Sequence, residues 1–147
     1  MAGAGYGRID HVGLVVSDSV AAVQLYETLF HLRADPPLRN DAEGVILTFL
    51  HPASLPATAT SIELLQPTRT DTGVARYLEK RGEGMHHICF EVDDVQAEIE
   101  RLRGLGYAVL DQTPRRGMHG EKLAFVHPRS ARGVLIELYE RGSRRER

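Results

Sequence analysis

At 147 residues and 16.3 kDa, with 42% hydrophobic and 26% charged residues, the chain holds one globular domain's worth of sequence and can bury a core without staples. Eighteen Lys and Arg against twenty Asp and Glu leave a net charge of −2 and a pI of about 6.4, which speaks against nucleic acid as a partner. The lone Cys89 excludes a disulfide framework or a cysteine-rich zinc module, no apolar run approaches the roughly 18 residues that span a bilayer, and residues 1–8 are too few and too glycine-rich for a targeting peptide; a soluble, cytoplasmic protein is expected.

Residues 9–16 alternate at strand period, with Val12, Leu14 and Val16 on one face and His11 on the other. Ser17-Asp18-Ser19 offers helix caps before a run over 20–30 whose apolar residues at 22, 25, 26, 29 and 30 keep helical spacing. Pro36-Pro37 breaks regular structure, and residues 45–50 and 61–65 read as strands closed by Pro52 and Pro67. The second half repeats the order: a strand over 85–92, Asp93-Asp94 capping a helix from 95 to about 105, Gly104 and Gly106 ending it, then strand-like runs at 107–110, 122–126 and 133–139. Each half is expected to be β-α-β-β-β.

Subtraction supports a duplication. His11 to His87 is an offset of 76, and Phe49-Leu50-His51-Pro52 recurs as Phe125-Val126-His127-Pro128 at the same offset. Ile62-Glu63-Leu64 recurs as Ile136-Glu137-Leu138 at 74, so the second copy has lost two residues in the turn before its last strand. The expected fold is α+β: one domain over 8–140 made of two tandem βαβββ modules, 8–67 and 84–140, forming a cupped, mostly antiparallel sheet around a metal site, with 141–147 as a disordered tail.

Each module offers a histidine on its first strand and a glutamate on its last, each glutamate flanked by apolar residues that face the other way. A mid-strand glutamate in a concave sheet is costly to desolvate unless something positive meets it, and a divalent ion would meet His11, Glu63, His87 and Glu137 together. Taken alone, each of these residues is more often an ordinary buried histidine or edge glutamate; the repeat is what selects the set. Two imidazoles and two carboxylates suit Co, Mn, Ni, Zn, Fe or Mg, and ligand type does not choose among them.

Other residues give weaker signals. His86 should face the helix side, opposite to His87. His51 and His127 precede prolines, where a turn role competes with a substrate contact. Cys89 shares the face of His87, with a buried inert thiol as the default. Residues 115–122 are glycine-punctuated and basic, which suits either a mobile loop over an anionic ligand or a solvated turn.

The phrases Ile9-Asp10-His11-Val12-Gly13, Ser61-Ile62-Glu63-Leu64-Leu65-Gln66-Pro67, Arg81-Gly82-Glu83-Gly84-Met85-His86-His87-Ile88, Gly120-Glu121-Lys122-Leu123-Ala124-Phe125-Val126-His127-Pro128 and Gly133-Val134-Leu135-Ile136-Glu137-Leu138 closely resemble the methylmalonyl-CoA epimerase family. That family lies in the vicinal oxygen chelate, or glyoxalase and bleomycin-resistance, superfamily, and the resemblance runs from about residue 8 to 140. It implies paired βαβββ modules, the same four metal ligands and a homodimer. It also exposes a departure: where some epimerases carry a glutamate proposed as a second base, this chain has Leu47, which cannot move a proton.

The implied reaction interconverts (R)- and (S)-methylmalonyl-CoA by removing and returning the C2 proton through a metal-stabilised enolate, with Glu137 as one base and Glu63 as the other, or a water relay in place of Glu63. Lys122, Arg129 and Arg132 are the expected contacts to the CoA phosphates. Two competitors use the same fold: a glyoxalase I-type lyase with the same four ligands, and a non-catalytic small-molecule binding or resistance protein, which has no need of them.

Overall fold

The computed structural model describes residues 5–56 and 58–143. Among them it has strands β1 (Tyr6–Val15), β2 (Leu32–Ala34), β3 (Leu38–Asn40), β4 (Val45–Pro52), β5 (Ser61–Pro67), β6 (Gly84–Val92), β7 (Arg115–Arg116), β8 (Lys122–Val126) and β9 (Leu135–Glu140). Helices α1 (Ser19–Phe30), α2 (Gly73–Arg81) and α3 (Val95–Gly104) interleave with them, and Pro128–Ser130 make a single 3-10 turn. No helix of the described residues is long and apolar enough to cross a membrane.

The chain divides into two compact units. One runs from His11 to His86; the other joins the start of β1, up to Asp10, to the chain from His87 onward. These units do not coincide with the sequence modules 8–67 and 84–140, because the first residues of β1 are bound by the second module. The Tyr6 ring meets Phe90 edge-on at 6.0 Å, the Tyr6 hydroxyl donates to Glu98, the Gly5 amide donates to Asp93, and Arg8 lies 3.6 Å from Glu91.

In the 11–86 unit the strand order is β2-β4-β5-β1, with β3 also on β4. The first and last strands, β1 and β5, run parallel, and the other pairs are antiparallel. Asp18 caps α1 by accepting from the Ala21 amide, as the sequence predicts, and Ala22, Val23 and Tyr26 pack onto Val16, Leu50 and Leu64. Helix α2 is absent from the sequence reading, although Thr72 caps it and Val74, Tyr77 and Leu78 keep helical spacing. Those three side chains cover Val15, Val45 and Leu65. Because Val15 and Leu65 lie on strand positions opposite in parity to Leu14, Val16 and Leu64, α2 covers the opposite face of the sheet from α1.

The second unit repeats the plan as β6-β9-β8-β7, with β6 and β9 parallel. Asp94 caps α3, and Val95 and Ile99 close a core with Val92, Ala124, Val126 and Leu138. One expectation is corrected here. Residues 107–110 do not form a strand: Val109 makes one isolated bridge to Val126. Residues 115–122 are the start of a short hairpin closed by a turn at 117–121, with Arg115 opposite Leu123, Arg116 opposite Lys122, and the Gly117 amide donating to the Glu121 carbonyl. Gly120 takes a φ of +77° at its tip, which a side chain would strain.

Residues 141–143 of the tail expected over 141–147 are held by the fold. Arg141 pairs with Glu91 and Asp93, and the Ser143 hydroxyl accepts from the Lys122 amide and donates to the Glu140 carbonyl. Residues 144–147 lie outside the described residues.

Candidate metal-binding half-sites and active site

Each unit carries a buried histidine and glutamate from its parallel strand pair. In the 11–86 unit Glu63 on β5 lies in register between Gly13 on β1 and Phe49 on β4, and His11 sits two residues before Gly13 on the same face. His11 Nε2 is 2.7 Å from Glu63 Oε2, at 2% and 7% exposure. In the second unit Glu137 on β9 lies between Cys89 on β6 and Phe125 on β8, with His87 two residues before Cys89. His87 Nε2 is 3.1 Å from Glu137 Oε2, at 4% and 8% exposure. A phenylalanine ring stands nearly perpendicular to each imidazole, Phe49 at 5.7 Å from His11 and Phe125 at 6.4 Å from His87 between ring centroids.

The registers confirm where the two-residue loss falls. The paired glutamates keep the same cross-strand partners, so the deletion is confined to the turn between the last two strands and does not shift a side chain to the wrong face. Two donors bound at right angles to one ion about 2.1 Å away stand about 3 Å apart. Each His–Glu pair meets that spacing, and the donors are of the kinds a borderline or hard divalent ion takes.

The neighbouring rows complete the surroundings. Leu47 lies on the face of Glu63, one pair further along, opposite Leu65 and packed toward α2. No carboxylate stands at that position. In the second unit Arg115, opposite Leu123, lies on the face of Glu137, its Cζ 5.1 Å from the centroid of the Phe125 ring. The sequence marks Arg115 only as part of the basic segment 115–122; which face it takes depends on the hairpin register.

Of the expected substrate contacts, Lys122 is turned by strand period away from the face of Glu137. It shares the α3 face with Ala124 and Val126, opposite to Phe125, and its ammonium lies 2.9 Å from Glu140, whose other oxygen accepts the Val95 amide. Arg129 and Arg132 are exposed on the connection between β8 and β9, at the end of the sheet where His87 pairs with Leu135. Among the described residues neither makes a side-chain ion pair.

The three other histidines that the sequence singled out, His86, His51 and His127, have structural partners. His86 meets the Tyr77 ring of α2, His51 lies 2.8 Å from Asp35, and His127 Nδ1 accepts from the Arg129 amide. Cys89 is fully buried. A cavity of about 290 Å³, walled by Phe90, Leu102, Val126 and Leu138 among others, opens on the α3 face and not on the face of Glu137.

Comparison with known proteins bears on this arrangement. The family model described as Glyoxalase/Bleomycin resistance protein/Dioxygenase superfamily matches residues 10–125. An ethylmalonyl-CoA/methylmalonyl-CoA epimerase of Cereibacter sphaeroides is 37% identical over 134 residues, covering 90% of this chain and 96% of the relative. A mitochondrial methylmalonyl-CoA epimerase of Dictyostelium discoideum is 33% identical over 93% of this chain and 80% of its own. Among solved structures, a variant of the Streptomyces coelicolor methylmalonyl-CoA epimerase in complex with 2-nitronate-propionyl-CoA is 36% identical, with a TM-score of 0.85 over 94% of this chain and 99% of that one. The chain belongs to the glyoxalase, bleomycin-resistance and dioxygenase superfamily and, within it, to the methylmalonyl-CoA epimerase family.

Proposed function

We propose that this protein is a metal-dependent epimerase that interconverts the two C2 configurations of methylmalonyl-CoA. The observation that carries the reading is the duplicated, buried His–Glu pair, together with the epimerase relatives that match the chain over most of its length. His11, Glu63, His87 and Glu137 would together hold one divalent ion. Bound there, such an ion supplies Lewis-acid stabilisation to the charge that builds on the thioester oxygen when C2 loses its proton.

The chain's own residues then have to move the proton. Inversion needs proton delivery to the face opposite the one attacked, which calls for two acid–base groups, and the duplicated modules offer one glutamate each. In this reading Glu137 acts as one base and Glu63 as the other. Leu47, lying among hydrocarbon, leaves Glu63 as the acid–base group of its half. The phenylalanines beside the histidines exclude water, which protects the carbanionic state from stray protonation.

Arg129 and Arg132 remain candidates for the CoA phosphates; Lys122 does not, being turned to the α3 face. A homodimer and a cytoplasmic setting go with this reading, and sedimentation of the purified chain tests the first.

The deciding experiment follows C2 proton exchange of methylmalonyl-CoA in deuterated solvent by NMR. Exchange with inversion is expected for metal-loaded protein and is lost on chelation and in Glu137→Gln. No exchange by protein that holds its ion would sink the proposal and direct the search to glutathione hemithioacetals. Ethylmalonyl-CoA in the same assay reads the width of the acyl pocket.

A further inference from the structure

We propose that Arg115 binds an anionic group of the acyl-CoA substrate beside the His87–Glu137 pair, an assignment that rests on the epimerase reading above. Three observations converge on it. First, hairpin register puts Arg115 opposite Leu123, and strand period then puts it on the face of Phe125 and Glu137 and away from the α3 core. Second, the guanidinium lies over the Phe125 ring, the same ring that stands perpendicular to the His87 imidazole. The cation therefore stands one aromatic ring away from the pair that would hold the reacting acyl group.

Third, the side chain is anchored in a way that leaves it usable. Asp111 is only 8% exposed, and its two oxygens are divided: one accepts from Arg115 Nε, the other from the Phe125 amide. The carboxylate thus ties the arginine to the strand that carries its ring. Among the described residues Asp111 engages Nε alone, so the two terminal nitrogens of the fork are left to meet an oxyanion, and about half of the side chain is exposed to receive one. Arg116, the next residue, points the other way and donates to the Gly120 carbonyl, so the two adjacent arginines have different tasks.

A planar fork of donors takes a carboxylate or a phosphate with equal geometry. The substrate offers both: the free carboxylate of the malonyl unit, close to the reacting carbon, and the phosphates of CoA, further away. Asp111 is a positioning residue in this scheme and touches no substrate.

The test measures kcat and KM of the metal-loaded parent, Arg115→Met and Arg115→Lys on two substrates, methylmalonyl-CoA and the methylmalonyl thioester of N-acetylcysteamine, which lacks every phosphate. Arg115→Met keeps an aliphatic contact to Phe125 while removing the charge. It is expected to raise KM by about 10- to 100-fold with the melting temperature and bound metal unchanged, and Arg115→Lys is expected to recover part of the loss. A rise on both substrates identifies the malonyl carboxylate; a rise confined to the CoA ester identifies a phosphate. An active parent whose Arg115→Met variant keeps its KM on both substrates overturns the assignment of Arg115 alone. A parent that epimerises neither substrate overturns the epimerase reading and this inference with it.

Discussion

The two halves carry the same cross-strand pattern on different backgrounds. His11, Gly13, Glu63 and Phe49 in one unit answer to His87, Cys89, Glu137 and Phe125 in the other. One row further along, the first unit has Val15, Leu65 and Leu47, sealed by Val74, Tyr77 and Leu78 of α2. The matching row of the second unit is Glu91, Tyr139 and Leu123, and Glu91 there pairs with Arg141. Hydrocarbon lines one half; charge lines the other, with Arg115 added from the hairpin. Donor positions are fixed by ligand chemistry and strand register together, so duplication preserves them, whereas the flanking rows are free to diverge toward different parts of an unsymmetrical substrate.

If the two glutamates are equivalent bases, neither half suffices for inversion. Glu63→Gln and Glu137→Gln are each expected to lower kcat for epimerisation by about 10²- to 10⁴-fold. The informative readout is exchange without inversion: Glu63→Gln that still binds metal should exchange the C2 proton of one epimer with solvent while no longer producing the other. A Glu63→Gln protein that inverts at the parent rate would break the equivalence and hand the second proton transfer to a water.

The apolar row can be tested by charging it. Leu47→Glu places a carboxylate among Val15, Leu65 and α2 with no cation described beside it, and is expected to cost about 2 kcal/mol of stability, read as a drop of several degrees in melting temperature. An unchanged melting temperature would mean that α2 does not seal this row.

How much of this was legible follows from what each feature depends on. The four donors and the βαβββ order rest on strand period and on self-similarity, both of which the sequence states directly. The two-residue offset difference also pointed to the turn where the registers place the loss. Lys122 was proposed as a substrate contact on its closeness in sequence to the site, and the structure places it on the α3 face beside Glu140. The period of two, applied from Phe125, already assigns Lys122 to the opposite face. Arg115 could not be found this way, since its face follows from a hairpin register set by the turn at 117–121. The start of β1 lay outside the strand read over 9–16 for a related reason: the partners of Gly5 and Tyr6, namely Phe90, Glu98 and Asp93, are more than eighty residues away.

That borrowed strand end gives a smaller prediction. The Glu98 carboxylate is fully buried; burial works to raise its pKa, but hydrogen bonds from Arg101 and Tyr6 outweigh this and hold it below the usual range. The Tyr6 hydroxyl is pushed up to about 12, first by burial and then by its bond to Glu98. Tyr6→Phe is expected to lose about 1 kcal/mol near neutral pH, a fall of a few degrees in melting temperature. The raised folded value makes the tyrosine's contribution complete below about pH 10, where unfolded tyrosine ionises, and progressively lost toward pH 12. The gap between parent and Tyr6→Phe in chemical denaturation should therefore narrow over that window. A gap that stays constant would mean that the hydroxyl is not held by Glu98 in solution.

Cys89 offers the finest test of the comparison, because its counterpart in the other unit is Gly13, which has no side chain to donate. Both stand in register beside their glutamates, Cys89 with Glu137 and Gly13 with Glu63. If the thiol were a ligand, the two halves would differ in chemistry as well as in background, and a soft sulfur donor would bias the site toward zinc over manganese or magnesium. The unequal neighbours argue instead that position 89 is packing. Cys89→Ala should then keep the relative affinities for zinc, cobalt and manganese within about threefold, at a stability cost of about 1 kcal/mol for the volume lost. A shift of preference toward manganese in the variant would show that the second half has acquired a donor the first half never had, and would make the likeness of the two pairs one of descent without equivalence in ligation.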